Sequence, residues 1–271
     1  EGLPAVFERW NIHQRAQHLV LALSVIVLLA TGLPIKFSHT GWAQTVTAWF
    51  GGVLGLLAVH KGAAVGLVLS GVYHLLYLLA RLCTGRATWD MLPTRQDFAA
   101  ALHHGLYLLG LTREPPRFGR YSYLEKFEYF AVFWGLLVMG LSGLALAFPL
   151  KTAALLPGWG LHVARVVHSN EALVALLSLT LGHFFFVHLH PRLFPGSGVW
   201  FHGRISRQML AHEHPLEYRE LMERGVLEPD PQAHQPSPLS PGRRLLAVVE
   251  LVIYSTVFVL LLKTFVPLLF S

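Results

Sequence analysis

Four histidines lie inside long apolar segments, where an ionisable side chain is costly and usually marks a functional site. His60 and His74 share one segment, and His168 and His183 share another, at separations of 14 and 15 residues. On a helix such separations return both members to nearly the same face, about 21–22 Å apart along the axis. Haem iron takes one axial ligand on each side of its flat ring, and facing helices supply such ligands. A single interior histidine would be explained by a hydrogen bond, but four at matched depths predict two stacked b-type haems.

Five apolar stretches are long enough to position these histidines across a bilayer, which needs about 20 residues. They cover residues 16–35, 54–80, 127–148, 163–189 and 245–269. Pro34 is predicted to end the first helix and Pro149 to follow the third. The chain is 54% hydrophobic and 13% charged, with a mean hydropathy of +0.50, whereas soluble domains carry about 25% charged residues.

These segments predict an all-α membrane protein with three parts. Residues 1–190 form a four-helix haem-binding transmembrane bundle. Residues 191–243 form a loop with one or two short helices over 204–224 and a Pro-rich tether, EPDPQAHQPSPLSP. Residues 244–271 form a fifth transmembrane helix. The segment 97–111 is predicted to form an amphipathic helix at the membrane surface.

The basic residues fall mainly before the first segment and in the loops 81–126 and 190–243. The positive-inside rule therefore predicts a cytoplasmic N-terminus, cytoplasmic long loops and an outer C-terminus in a bacterial-type inner membrane. No cleavable signal peptide is visible, because the first apolar run contains His18 and no small-residue cleavage site follows it. The net charge is +6, but the basic residues are scattered through the loops between the apolar segments. This distribution is explained better by membrane topology than by nucleic-acid binding.

His18 lies at a depth similar to His74 and His183, so three histidines share the inner level. The surplus one would bond a propionate, serve a quinone site, or bind a third haem with His188. Arg15, Lys61 and Arg165 lie next to or one turn from candidate ligands. They are predicted partners of haem propionates, although snorkelling to lipid headgroups explains them equally well. Glu171 is interpreted first as a polar neighbour that orients His168, and second as a proton carrier.

The single cysteine, Cys83, excludes an internal disulfide, covalent c-type haem and a cysteine-rich cluster. One alternative is a membrane di-iron desaturase or hydroxylase with histidine boxes. Its tight clusters are missing, since the pairs His13–His18 and His183–His188 are each spaced by five. The other alternative, a non-redox transporter or scaffold, leaves the matched depths of the histidines unexplained.

Several segments resemble the dihaem cytochrome b subunits of membrane-bound formate dehydrogenases and nickel–iron hydrogenases. Arg15-x-x-His18 followed by LVLALSVIVLLATGLPI resembles their first helix, which a TG or SG pair closes. VHK at 59–61 resembles the ligand segment of their second helix. VHSNEAL at 167–173 and GHFFFVHLHP at 182–191 resemble those of the fourth, so the likeness covers roughly residues 9–190.

The resemblance implies an outer haem held by His60 and His168 and an inner haem held by His18 and His183. Two features depart from it. The first is His74, which has no counterpart in the family. Its position is similar to that of a ligand in the cytochrome b of respiratory bc complexes, where two helices supply all four ligands, so a His74–His183 pair stays open. The second is the fifth helix, since the family usually has four. The implied role is a membrane-anchor subunit of a quinone oxidoreductase complex. It would pass electrons between quinone near the inner haem and a periplasmic iron–sulfur or multihaem c-type cytochrome subunit, in a direction that the chain leaves open.

Overall fold

Long helices make up most of the computed structural model, which describes residues 6–190, 193–227 and 241–265. The elements in chain order are β1 (Val6–Glu8), α1 (Ile12–Lys36), α2 (Gly41–Trp49), α3 (Val53–Cys83), α4 (Arg95–Leu108), α5 (Tyr123–Ala147), α6 (Pro149–Leu155), α7 (Gly160–Leu177), a π-helix (Ser178–Leu189), α8 (Val199–His202), β2 (Arg204–Ser206), α9 (Arg207–Glu213), α10 (Pro215–Glu223) and α11 (Pro241–Phe265). The π-helix continues α7 directly and is called the π-segment below.

The five predicted membrane spans are confirmed as helices that are long and apolar enough to cross a bilayer. They are Ile12–Lys36, Val53–Cys83, Tyr123–Ala147, Gly160–Leu189 and Pro241–Lys263. The predicted stop at Pro34 is wrong. Pro34 removes only its own N–H from the helical ladder, and the amide of Phe37 still donates to the Leu33 carbonyl at 2.9 Å. The helix therefore continues to Lys36.

The bundle consists of two helix pairs, because α1 packs mainly along α3 and α5 packs mainly along α7. Capping boxes start the first helix of each pair, Asn11 with Gln14 in α1 and Ser122 with Glu125 in α5. Both helices begin on the same side of the bundle, which is called the N-side, and the opposite side is called the far side. The partner helices run back, so α3 and the π-segment end on the N-side.

A small structure outside the spans, the N-side cap, is built from β1 together with residues 193–227. β1 and β2 pair antiparallel with Phe7 opposite Ile205. Its apolar core contains Ile205, Leu210, Ala211, Tyr218 and Leu227. The helical class is confirmed, but this sheet was not predicted, since three-residue strands show too little alternation to be recognised. The predicted tether lies almost wholly outside the described residues.

Ion pairs tie this cap to the start of the bundle. The buried guanidinium of Arg9 donates to the carboxylate of Glu217 on α10 and to the carbonyl of Arg120. Arg120 in turn donates to the other oxygen of Glu217 at 3.1 Å. Although burial opposes it, the pKa of Arg120 is raised by Tyr121 and Glu217, so its charge is retained. The residues that lead into α1 and α5 are thereby fixed to one carboxylate.

The helix predicted over 97–111 is present as α4, and its place at the membrane surface stays a prediction. Its N-cap Thr94 forms a capping box with Asp97, and that carboxylate accepts a hydrogen bond from Lys126 of α5 at 2.9 Å. Burial acts in the opposite direction, but the bonds from Lys126 and Thr94 hold the pKa of Asp97 below its usual value. Phe98 and Leu102 are mostly exposed, at 74% and 68%, as expected for side chains that face lipid.

Candidate functional site

The imidazoles of His60 and His168 face each other near the far side of the bundle. Their ring centres are 6.4 Å apart and the ring planes are inclined at 70°. His60 belongs to α3 and His168 to α7, so each helix pair contributes one ring. Both side chains line the same cavity. The pair predicted for the outer level is thus brought together.

A hydroxyl from the neighbouring helix orients each of these rings. Oγ1 of Thr31 lies 2.8 Å from Nδ1 of His60, and Oγ of Ser142 lies 3.0 Å from Nδ1 of His168. Each hydroxyl donates its own proton to a backbone carbonyl one turn earlier, at 2.7 and 2.6 Å respectively. Because a hydroxyl has one proton, its oxygen accepts the Nδ1–H of the imidazole. Nε2 of both rings then carries the lone pair that a metal ion requires.

The glycine after each hydroxyl leaves room for the ring. A Cβ added at Gly32 would lie 3.2 Å from Cε1 of His60, and one added at Gly143 would lie 3.0 Å from Cε1 of His168. Contacts this short would displace the imidazole or the helix. In each Thr-Gly or Ser-Gly pair, the hydroxyl therefore orients the far-side ring and the glycine leaves the space that the ring occupies.

His18 of α1 and His183 of the π-segment form a second facing pair near the N-side. Their ring centres are 6.3 Å apart and the planes are inclined at 46°. Nδ1 of His183 lies 2.8 Å from a carboxylate oxygen of Glu128 on α5, so the carboxylate accepts the Nδ1–H and leaves Nε2 free. The ring of His18 contacts those of Trp10 and Trp200, with centres 5.3 and 6.0 Å away.

His74 also lies on the N-side, but its ring does not face His183. Nδ1 lies 2.8 Å from Oε1 of Gln17, and Nε2 lies 2.9 Å from the phenol oxygen of Tyr129. Its aromatic neighbours are Tyr129 and Phe133. Both nitrogens are therefore engaged in hydrogen bonds.

The two helix pairs repeat one arrangement of polar side chains. The spacing along the chain from Thr31 to Ser142 is the same as that from Gln17 to Glu128. In each half, the first helix supplies a hydroxyl to the far-side imidazole and an amide or carboxylate oxygen to the N-side imidazole. The second half has one extra residue between its two histidines, and the wider π-helical turns accommodate it.

The repeat also accounts for the partner of each N-side imidazole. The same spacing relates His18 to Tyr129. His18 faces His183 of the second half, whereas Tyr129 contacts His74 of the first half. A phenol thus occupies, opposite His74, the position that an imidazole occupies opposite His183.

One cavity of about 3070 Å³ extends along the bundle and is lined by both facing pairs. A site for a single drug-sized ligand is typically about 300–1,000 Å³. The space is therefore sufficient for more than one large flat group. Within residues 6–190, 193–227 and 241–265, no three His, Cys, Asp or Glu side chains converge on one metal position.

The family model of the prokaryotic cytochrome b561 proteins matches residues 9–196, well over half of the chain. The chain belongs to the prokaryotic cytochrome b561 family. It is thus a b-type cytochrome that carries electrons in a membrane, as its haem-directed histidines predicted. A search of curated proteins found no significant match. The match ends before α9, so the fifth long helix of this cytochrome lies outside it.

The two imidazole pairs of the cytochrome fit b-type haem. An imidazole nitrogen bonds a metal at about 2 Å and lies about 1 Å from its ring centre, so two axial imidazoles have centres about 6 Å apart. The observed separations of 6.4 and 6.3 Å agree with this value. Three of the four rings have an oxygen on Nδ1, which leaves Nε2 as the nitrogen that would bind a haem iron.

The predicted propionate partners divide between two environments. Lys61 and Arg165 line the cavity of this cytochrome with the far-side pair. Arg15 is not among the cavity-lining residues and donates its Nε–H to the carbonyl of Phe201 at 2.9 Å. Lys36, which the sequence did not single out, also lines the cavity and donates to Ser169 at 3.2 Å.

Three further predictions concern polar residues at the ends of the spans. Nδ1 of His188 lies 2.9 Å from Oε1 of Glu250 on α11, a contact that leaves Nε2 available, so the third-haem pairing of His18 with His188 stays a prediction. His13 belongs to the His13–His18 pair that was considered for a histidine box, and its Nδ1 lies within hydrogen-bond distance, 2.7 Å, of the phenol oxygen of Tyr73. Glu171 lines the cavity, which leaves both of its proposed roles as predictions.

Sequence reasoning missed the groups that hold the imidazoles. Thr31 entered only as part of the Thr-Gly pair that resembles a helix end of the family, and Ser142 was not singled out. Glu128 carried a signal of its own, since a carboxylate in an apolar span requires a partner. The matching position of Gln17 in the first span would have identified Glu128 as part of a repeat.

Proposed function

We propose that this cytochrome binds two b-type haems, one between His60 and His168 and one between His18 and His183. The observation that carries the proposal is the pair of facing imidazoles at each end of one apolar cavity. His74 is left out of the ligand set because both of its nitrogens are hydrogen-bonded. The haem-binding unit is then residues 1–190, with residues 191–243 as a loop that supplies most of the N-side cap and 244–271 as an added span.

The residues of the chain fix the imidazoles before any iron binds. Thr31, Ser142 and Glu128 each hold one ring by its Nδ1–H, so little side-chain freedom is lost on ligation. The wall of the cavity around the rings is mainly apolar. When bound, haem supplies the one-electron chemistry. Lys61 and Arg165 would neutralise propionates on the far side, and Arg15 would do so only if its remaining N–H groups turn to the cavity.

The two haem positions would form a path across the membrane. His18 and Thr31 are 13 residues apart on α1, which corresponds to about 20 Å along the helix axis. The positive-inside rule assigns the basic N-side to the cytoplasm and the far side to the periplasm. Electrons would therefore move between a quinone bound near the cytoplasmic haem and a partner at the periplasmic surface.

The periplasmic partner is inferred from what the far side offers. Its connections are the short segments that contain α2 and α6, and neither carries a cysteine or a further metal motif. Another subunit, such as an iron–sulfur protein or a multihaem c-type cytochrome, must then exchange electrons with the far-side haem. The cytochrome would be the membrane anchor of that quinone oxidoreductase complex.

Haem counting on purified protein tests the proposal. A pyridine haemochrome assay with a protein determination is expected to give two b-type haems per chain. A reduced-minus-oxidised spectrum is expected to lose about half of its amplitude in His60→Ala. Folded protein without haem, or a His60→Ala variant with the full amplitude, contradicts the proposed sites. Binding of a quinone analogue that shifts neither haem signal contradicts the quinone role.

A further inference from the structure

The two imidazole pairs differ in the charge of the groups that hold them. On the far side both acceptors are neutral hydroxyls, those of Thr31 and Ser142. On the N-side the acceptor for His183 is the carboxylate of Glu128, at 2.8 Å. Nδ1 of His18 is buried and has no hydrogen-bond partner in the described part of the chain. A negative charge is thus placed behind one ligand of one level only.

A carboxylate behind an imidazole changes the electron donation of the ring. It accepts the Nδ1–H strongly, which makes Nε2 a better donor to a metal ion. A stronger donor stabilises the higher oxidation state of the iron, and hydrogen bonding of this kind is one way in which proteins set haem potentials. A hydroxyl orients the ring equally well but carries no charge.

We propose that Glu128 is a positioning residue for His183 that lowers the reduction potential of the N-side haem below that of the far-side haem. The inference rests on the proposed ligand set and adds an energetic order to it. An electron on the N-side haem would then be driven towards the far side. Within the complex, this favours flow from the N-side quinone site to the far-side partner.

The first half of the bundle shows that a neutral group is sufficient to hold an N-side imidazole. Gln17 occupies the position that corresponds to Glu128, and its amide oxygen lies 2.8 Å from Nδ1 of His74. The two contacts have the same length, although only one involves a carboxylate. Orientation alone therefore does not require a charge at position 128. The carboxylate is present where the ring faces a second imidazole.

A redox titration of Glu128→Gln tests the inference, because the amide keeps an acceptor for His183. The potential of one haem is expected to rise by at least the equivalent of a tenfold change in the equilibrium constant, about 59 mV for one electron. The other haem is expected to keep its potential, and both haems are expected to remain by pyridine haemochrome assay. Glu128→Asp keeps the charge and is expected to shift the potential less.

Glu125→Gln is the matched control. This variant removes the same charge from the same helix. The carboxylate of Glu125 accepts a hydrogen bond from the backbone N–H of Ser122 at 2.7 Å, a capping role that glutamine also fills. Equal shifts of the reduction potential in the two variants would overturn the inference, because loss of any negative charge from α5 would then explain them. An unchanged potential in Glu128→Gln, or loss of haem there with retention in Glu128→Asp, would also overturn it. Wild-type protein without haem would instead reject the proposed function.

Discussion

The phenol oxygen of Tyr129 lies 2.9 Å from Nε2 of His74, and this contact occupies the nitrogen that an iron atom would need. The amide of Gln17 engages the other nitrogen. His74 is thereby part of a chain of hydrogen bonds that links α1, α3 and α5. The residue that looked from its spacing like a fourth ligand therefore supports the packing of three helices.

The first prediction separates His18 from His74 as N-side ligands. His18→Ala is expected to lose one of two haems, because it removes a ring that faces His183. His74→Ala is expected to keep both haems while the protein becomes less stable by about 1–3 kcal/mol, since the phenol and amide lose a buried partner. Haem content and thermal unfolding of the two variants are measured side by side. Loss of one haem in His74→Ala alone would restore the His74–His183 pairing.

The second prediction concerns the hydroxyls behind the far-side rings. Thr31→Val keeps the shape of the side chain but leaves the Nδ1–H of His60 without its acceptor. Removal of such a partner typically costs about 10–100-fold in metal affinity. The rate of haem transfer to an apoprotein scavenger is expected to rise in that range for one haem. Thr31→Ser keeps the hydroxyl and serves as the control. If Thr31→Ser loses haem to the scavenger as fast as Thr31→Val does, the assignment is contradicted.

The third prediction uses two glycines of the membrane spans. Gly143→Ala places a Cβ 3.0 Å from Cε1 of His168 and is expected to displace the ring, at a cost of about 1–3 kcal/mol. Gly62→Ala lies on α3 outside the cavity lining, where a Cβ meets no atom within 4 Å, and is expected to bind haem normally. Visible spectra of both variants across a haem titration measure the difference. Normal haem binding by Gly143→Ala would show that the ring has more space than its contacts indicate.

The spans and the far-side pair could be predicted because they follow from two simple periodicities. Runs of apolar residues locate the helices, and spacings of 14 and 15 place two histidines on one helix face. The pairing of His60 with His168 needed only the antiparallel course of α3 and α7. Matched depth is a property of the sequence when helices are straight and cross a layer of fixed thickness.

Rotation about the helix axis could not be predicted, and it decides the N-side pairing. His74 and His18 have similar depths, but the packing of α1 on α3 turns His74 towards Tyr129. The π-segment likewise turns His183 towards His18, and no residue pattern predicts a π-helical segment. The sheet of the N-side cap joins residues about 200 positions apart, a contact that local sequence does not encode.

The fourth prediction concerns the helix outside the family match. Glu250 of α11 is 6% exposed and accepts a hydrogen bond from Nδ1 of His188 at 2.9 Å. Glu250→Leu is expected to destabilise the protein by about 1–3 kcal/mol, because it leaves the imidazole N–H buried and unpaired. Replacing both partners with apolar residues, as in His188→Phe with Glu250→Leu, is expected to restore most of this loss. Additive effects in thermal unfolding would mean that the contact does not dock the helix.

The fifth prediction is a pH dependence of the N-side cap. Burial, and secondarily the charge of Arg9, lowers the pKa of His214 below its usual value of 6.5. The unfolded cap therefore binds a proton that the folded cap excludes, so the stability from His214 is complete above pH 6.5 and is lost as the pH falls. Amide hydrogen exchange of α9 and α10 is expected to accelerate between pH 7 and 5 relative to the intrinsic rate. His214→Gln has no titrating ring, and it is expected to flatten that profile while Gly119 keeps a donor for its carbonyl, which now lies 2.8 Å from Nδ1 of His214. The same acceleration in His214→Gln would assign the pH dependence to another group.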